Sequence, residues 1–239
     1  MNLPIRPRRN RRTPAIRSLV RENVLTAADF ILPMFLHEDA VDTPIASMPG
    51  VTRWSLEGLV KEAGEAHALG VPAVVLFPKI EEDLKTPLAE EAHNDEGLVP
   101  RAIRALKAAY PTLCVITDVA LDPYNSDGHD GVVRRDAKGE LQILNDETVE
   151  ILCQQALCHA RAGADIVSPS DMMDGRVAAL RDALDSVGFE EVRQRGSHVV
   201  MKKGGVGCVV PMHKEIKVGT LAGILRQAGI SPEAFIEAL

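Results

Sequence analysis

Thr117-Asp118-Val119-Ala120-Leu121-Asp122-Pro123-Tyr124-Asn125-Ser126-Asp127-Gly128-His129-Asp130-Gly131 follows directly on the apolar run Leu113-Cys114-Val115-Ile116. A short, fully apolar run that opens into a turn-rich, carboxylate-bearing segment reads as a buried strand ending in a loop. The same pattern recurs along the chain. Phe30-Ile31-Leu32-Pro33-Met34-Phe35-Leu36, Ala73-Val74-Val75-Leu76-Phe77 and Ala164-Asp165-Ile166-Val167 are further runs of strand length. Between and after them lie helical periods: Leu56–Leu69, with Ser55 as cap and Gly70 as stop; Leu98–Ala109; Glu147–Ala162, with Asp146 as cap and Gly163 as stop; and Gly175–Val187. Near-continuous apolar strands alternating with amphipathic helices predict an α/β fold around a parallel sheet. Four such βα units are half of a (β/α)8, TIM-type barrel. A half-barrel leaves open edges at its first and fourth strands.

The 239 residues suffice for one large domain or two modest ones. Apolar residues make up 46% and charged residues 26%, the balance of an ordinary globular chain; aromatics at 3% force an aliphatic core. No run of 18 or more apolar residues and no charged-then-apolar leader occurs, so neither a membrane span nor a secretory signal is expected. Cys114, Cys153, Cys158 and Cys208 show no CxxC spacing and read as reduced thiols of a cytoplasmic protein. The net charge of −7 is unevenly spread. The first 21 residues hold seven arginines and no acid, whereas residues 189–239 hold seven Lys/Arg against five Asp/Glu. A basic arm (1–28, with a short helix over about Thr13–Arg21) on an acidic body, without interleaved aromatics, reads as an interaction arm rather than a nucleic-acid tail.

In a parallel α/β fold the chemistry gathers at the carboxyl ends of the strands. Asp118, Asp122 and Asp130 fall there after the third strand. Three carboxylates within thirteen residues suit a hard cation such as Mg²⁺, while the surrounding Asn, Ser and Gly equally suit a loop of Asx turns. Ser168-Pro169-Ser170-Asp171-Met172-Met173-Asp174-Gly175-Arg176 follows the fourth strand, with Ser170 and Asp171 at the same rim and Asp174 able to cap the next helix. Lys79 follows the second strand and reads as a surface or ion-pair lysine.

The two runs 117–131 and 168–176 together resemble porphobilinogen synthase (5-aminolevulinate dehydratase), and the resemblance covers roughly residues 5–188. It implies closure into a full barrel, a basic arm that wraps a neighbouring subunit in a homo-oligomer or a mixed oligomer, and condensation of two 5-aminolevulinates in tetrapyrrole and heme biosynthesis. Asp118 matches an active-site carboxylate of that family, and Ser170 lies in its active-site motif. Asp122 and Asp130 stand where zinc-binding members carry cysteines, so the resemblance implies Mg²⁺ there and no zinc. The family activates each keto group as an imine with a lysine on later strands. Continued in register, the first lysine's place falls at Val200, with Lys202 and Lys203 nearby in a Gly-rich turn. No Schiff-base lysine is therefore assigned, and no porphobilinogen synthesis is expected from this chain alone.

Past Phe189 the pattern changes. Val192–Lys202 is a charged, alternating strand with His198 in its middle; Lys203-Gly204-Gly205 is a turn, and Gly207–Pro211 a second strand. With the helix before it and helical periods after Thr220, residues 178–239 predict a small α+β domain, α-β-β-α or α-β-β-β-α. The run Gly188-Phe189-Glu190-Glu191-Val192-Arg193-Gln194-Arg195-Gly196-Ser197-His198 is similar to HicA-type mRNA-interferase toxins. That implies a fold like a double-stranded-RNA-binding domain, His198 as catalytic acid or base, and Arg193, Arg195, Lys202 and Lys203 as phosphate contacts. It also implies mRNA and an antitoxin as partners. Alternation alone makes His198 a surface residue. Three functions follow: a synthase-family chain that needs a partner subunit, an RNA-cleaving module on a carrier, or an inert fusion with no function.

Overall fold

The computed structural model describes residues 5 and 7–187, and the backbone of strands within 190–211. The arm opens with a 3-10 turn, Pro7–Arg11, and a short helix, α1 (Pro14–Leu19). Thr13 caps α1, its hydroxyl accepting the Ile16 N–H at 3.2 Å, and Pro14 supplies a first-turn position that needs no donor. No residue of either turn is buried.

The body follows as β1 (Ile31–Leu36), β2 (Thr43–Pro44), β3 (Thr52–Trp54), α2 (Leu56–Ala68), β4 (Ala73–Pro78), α3 (Leu98–Ala109), β5 (Cys114–Val119), β6 (Val133–Arg135), β7 (Leu141–Ile143), α4 (Asn145–Ala162), β8 (Ile166–Pro169) and α5 (Arg176–Ser186). The main sheet runs β2-β3-β1-β4-β5-β8, parallel except where β2 pairs with β3. The four expected βα units, β1 to α5, are present in the expected order. Helices cover one face of the sheet. Met34, Leu36, Val74, Leu76 and Val115 from the strands meet Leu59, Ile103, Leu106 and Leu152 from the helices in one aliphatic core. Each such side chain, fully buried, is worth about 1.5–3 kcal/mol relative to exposure. The opposite face carries Phe35 stacked on Phe77 with ring centroids 5.6 Å apart.

Several boundaries differ from the sequence expectation, each for a local reason. Ser55 caps α2 as expected, its Oγ accepting the Gly58 N–H at 3.0 Å. Asp146 does not cap α4. The helix starts two residues earlier, at Asn145 with Leu144 at the cap, where the Thr148 hydroxyl donates to the Leu144 carbonyl at 2.6 Å. Asp174 does not cap α5 either. Gly175, left-handed at φ 79°, takes that place, while both backbone polar groups of Asp174 pair with the Asn145 side chain. Two hairpins, β2–β3 and β6–β7, were not anticipated, since their strands of two or three residues are too short for a period to show. One of them matters to the sheet: β3 flanks β1, so the first strand has no open edge.

Residues expected as one strand, Val192–Lys202, form two: β9 (Glu190–Arg195) and β10 (His198–Lys203), antiparallel, with His198 opposite Arg195. The intervening Gly-Ser pair is a composition that two-residue hairpin connections favour. β10 pairs in turn with β11 (Val206–Pro211), as the expected hairpin requires, Lys203 lying opposite Val206. The small sheet lies with β11 beside β8, on the edge expected to be open. The expected closing helices of the tail, after Thr220, lie outside the described residues.

Candidate functional site

Alternation along β5 decides which side chains can react. Thr117 points to the helix layer, where its hydroxyl meets Nδ1 of His159 on α4 at 3.0 Å. Asp118, the next residue, therefore points to the other face, the one that holds Phe35 and Phe77. In register, Asp118 lies beside Ser168 of β8, and the Ser170 N–H donates to the Val119 carbonyl at 3.3 Å. The Ser170 side chain is thereby delivered to Asp118 and hydrogen-bonds its carboxylate.

The carboxylates of the two loops act on one another. Burial pushes Asp118 up to about 6, the Ser170 hydrogen bond opposes this, and the charges of Asp122, Asp130 and Asp171 add to it. Asp122 is raised too, first by loss of water and then by Asp130. Asp171, only 1% exposed, is raised by burial, while its Oδ1 accepts the Met173 N–H at 2.8 Å and Arg176 opposes the shift. Arg176 Nε lies 3.1 Å from Asp171 Oδ2, and its Nη1 donates to the Met173 carbonyl at 2.9 Å. A cavity of about 330 Å³ opens beside this cluster, lined by His129, Asp130, Ile143, Asn145, Met172 and Met173.

The structure thus brings Asp118, Asp122, Asp130 and Ser170 to one rim. Among the described residues, no three His, Cys, Asp or Glu side chains converge as a ready metal cage. The donor chemistry nevertheless fits Mg²⁺. Asp122 and Asp130 offer oxygen only, the 117–131 loop contains no thiol, and Mg²⁺ binds through one or two carboxylates while keeping several waters. Lys79 is ion-paired with Glu81 at 2.6 Å, as an ion-pair lysine should be.

The tail residues divide. Arg195 and His198 are cross-strand partners, and Arg193 lies opposite Val200, but Lys202 and Lys203 stand at the far end of β10. Four residues of strand put His198 about 13 Å from Lys202. His198 begins β10 rather than sitting mid-strand, because β9 ends at Arg195.

Sequence reasoning missed the polar contacts behind the loop: Thr148, Gln155 and His159 on the inner face of α4, and the Asp171–Arg176 pair. Their spacing, 148, 155 and 159, was the available signal, since it places three polar residues on the stripe that should be apolar.

A family model described as "Delta-aminolevulinic acid dehydratase" matches residues 4–194. The chain belongs to the delta-aminolevulinic acid dehydratase family. Among curated relatives, the chloroplastic dehydratase of Glycine max is 57% identical over 195 residues, 80% of this chain and 46% of the relative. The chloroplastic dehydratase of Selaginella martensii is 48% identical over 241 residues, reaching across all of this chain and 56% of the relative. A solved structure of the Toxoplasma gondii dehydratase, in complex with the reaction product porphobilinogen, superposes with a TM-score of 0.74 at 53% identity. That match covers 78% of this chain and 52% of the other. The chain spans about half the length of the curated dehydratases it matches. A second family model, described as "HicA toxin of bacterial toxin-antitoxin", matches residues 179–230, overlapping the first. No helix among the described residues is long and apolar enough to cross a membrane.

Proposed function

We propose that this dehydratase-family chain supplies the carboxylate half of a porphobilinogen synthase site, forming product only with a synthase subunit that contributes the imine-forming amines. The observation that carries this is Asp118: held under Ser170 and raised to about 6, it can give or take a proton near neutral pH. Condensing two 5-aminolevulinates expels two waters, and each expulsion needs a proton delivered to a departing oxygen and one removed from carbon or nitrogen. Asp118 is placed to shuttle such protons, with Ser170 fixing the orientation of its carboxyl oxygens. Asp122 and Asp130 would hold Mg²⁺, whose charge would polarise a bound carbonyl or water.

On this reading the amine comes from the other subunit. Imine formation needs a lysine free to lose its charge. Of the described lysines, Lys79, Lys85 and Lys107 are ion-paired with Glu81, Glu82 and Asp165. The arm offers a means of recruiting a second subunit, since Leu19, Val24 and Leu25 are exposed beside and just after its arginines. The test is porphobilinogen formation by the chain alone and mixed with a full-length synthase whose own Asp118-equivalent carboxylate has been removed, followed by borohydride trapping of 5-aminolevulinate. Product only in the mixture, with the label trapped on the synthase, is the expected result. Product from the chain alone, or label on its own lysines, would overturn the reading.

A second reading attaches to the tail, where the HicA family match and the antiparallel β9-β10-β11 sheet after α5 support an RNA-binding module using His198, Arg193, Arg195, Lys202 and Lys203. Cleavage of a labelled mRNA that disappears in His198→Ala is its test. Equal cleavage by both proteins would dismiss it.

A further inference from the structure

Three buried polar side chains on one stripe of α4 each hold a different point of the carboxylate loop. At its start, Nδ1 of His159 meets the Thr117 hydroxyl at 3.0 Å, one residue before Asp118. In its first turn, Nε2 of Gln155 donates to the Ala120 carbonyl at 3.3 Å, between Asp118 and Asp122. At its end, the Thr148 hydroxyl accepts the Val132 N–H at 2.9 Å, two residues past Asp130, while donating to Leu144. All three are fully buried. Residues separated by seven and four positions lie on one helix face, so the three form a single column running along the whole loop.

An apolar helix face would seal this layer more cheaply. Nε2 of His159 is buried with no aligned hydrogen-bond partner among the described residues, a cost of the kind that buried polar groups avoid unless something else requires them. Burial also holds His159 neutral, at about 3, so the column carries no charge that would disturb the carboxylates in front of it. The loop is tied on its other side as well: the Asn125 side chain donates to the Pro87 carbonyl at 3.1 Å, the Ser126 N–H to the Thr86 carbonyl at 3.0 Å, the Thr86 N–H to the Tyr124 carbonyl at 3.2 Å, and the Leu144 N–H to the Val132 carbonyl at 2.8 Å.

We propose that Thr148, Gln155 and His159 are the positioning residues of the carboxylate site: the buried polar column of α4 fixes where Asp118, Asp122 and Asp130 stand. The proposal rests on the synthase reading for its chemistry, but its geometry can be tested without that chemistry. Gln155→Leu and Thr148→Val keep the volume of α4's inner face and remove its contacts to the loop; Thr148→Ser restores a hydroxyl. Hydrogen exchange of the whole chain then reports the loop directly. In both loss variants the amides of 119–132 should exchange roughly five- to tenfold faster, the size expected for one lost hydrogen bond, while those of α2 and β4 keep their rates. Thr148→Ser should return the loop to the wild-type rate. In the mixed assembly, the same variants should lower kcat with KM unchanged.

Faster exchange spread evenly over α2, β4 and the loop would mean ordinary stability and overturn the proposal. So would unchanged exchange at 119–132. If the wild-type mixture forms no porphobilinogen, the synthase reading fails by itself, and the exchange pattern still decides the positioning role.

Discussion

Replacing Asp118 by Asn should make the protein more stable and the site inert. Burial raises Asp118 from its ordinary 3.8 to about 6, so the folded chain binds this proton more tightly than the unfolded chain does. The sign follows. Below about pH 4 both states are protonated and the carboxyl costs nothing. Above pH 6 the folded state must hold a half-buried anion beside Asp122, Asp130 and Asp171. A gap of about two pH units at 1.36 kcal/mol each sets a ceiling of about 3 kcal/mol, and solvent screening at the open rim brings it to about 2 kcal/mol. Asn keeps the shape and can still accept the Ser170 hydroxyl. Urea midpoints of wild type and Asp118→Asn, measured with EDTA from pH 4 to pH 8, should coincide at the acid end and separate mostly between pH 4 and pH 6. A variant less stable than wild type at pH 8, or an advantage that does not change with pH, would refute the reasoning that burial and neighbouring charge raise this group.

Removing Arg176 (Arg176→Met) leaves Asp171 buried without its counter-charge, and should cost about 2 kcal/mol at pH 8, less than a fully buried pair because Arg176 is partly exposed. The loss should shrink as pH falls and Asp171 takes up a proton, which paired urea titrations at pH 8 and pH 5 would show. Leu106→Ala, at a fully buried core position of α3, should cost about 2–5 kcal/mol at any pH, read from the same titrations. Gly58→Ala would drive a methyl to within 2.2 Å of Asp42 Oδ1, displacing the carboxylate that accepts both the backbone and the hydroxyl of Ser55. A thermal midpoint lower by several degrees is expected, corresponding to about 1–2 kcal/mol. Asp122→Asn with Asp130→Asn should abolish Mg²⁺ binding measured calorimetrically on the whole chain. Retained binding would move the cation elsewhere.

The period of the apolar residues made the four βα units legible, because Val74 and Leu76, or Leu59 and Leu106, must face the same layer wherever the helices end. Placing Asp118, Asp122, Asp130 and Ser170 at one rim needed only strand ends and the rule that parallel sheets react there. What the pattern could not show was pairing between distant segments. Asp174 looks like a cap until Asn145, 29 residues earlier, takes both of its backbone groups. β3 looks like loop until it lies along β1. The division into β9, ending at Arg195, and β10, starting at His198, was hidden by the alternation on both sides.

Taken together, the shifts describe a rim assembled against its own electrostatics. Asp118, Asp122 and Asp171 are all raised, so each is held where its charge is disfavoured, although Arg176 offsets part of the shift at Asp171 and Lys85 part of that at Asp122. Such an arrangement persists because the fold over-determines it: β5 fixes Asp118 through backbone register, the Met173 N–H and Arg176 hold Asp171 just past β8, and the stripe on α4 ties the loop carrying the others. A cation between Asp122 and Asp130 would relieve the repulsion that the fold imposes, so its binding and the gain in stability are linked. Saturating Mg²⁺ at a hundred times its dissociation constant should then raise stability by about 2.7 kcal/mol. At that same Mg²⁺ concentration Asp118→Asn, which lacks part of the repulsion and so binds the cation less tightly, should gain less than wild type does. Equal gains in the two proteins would mean that Asp118 and the cation do not share a field.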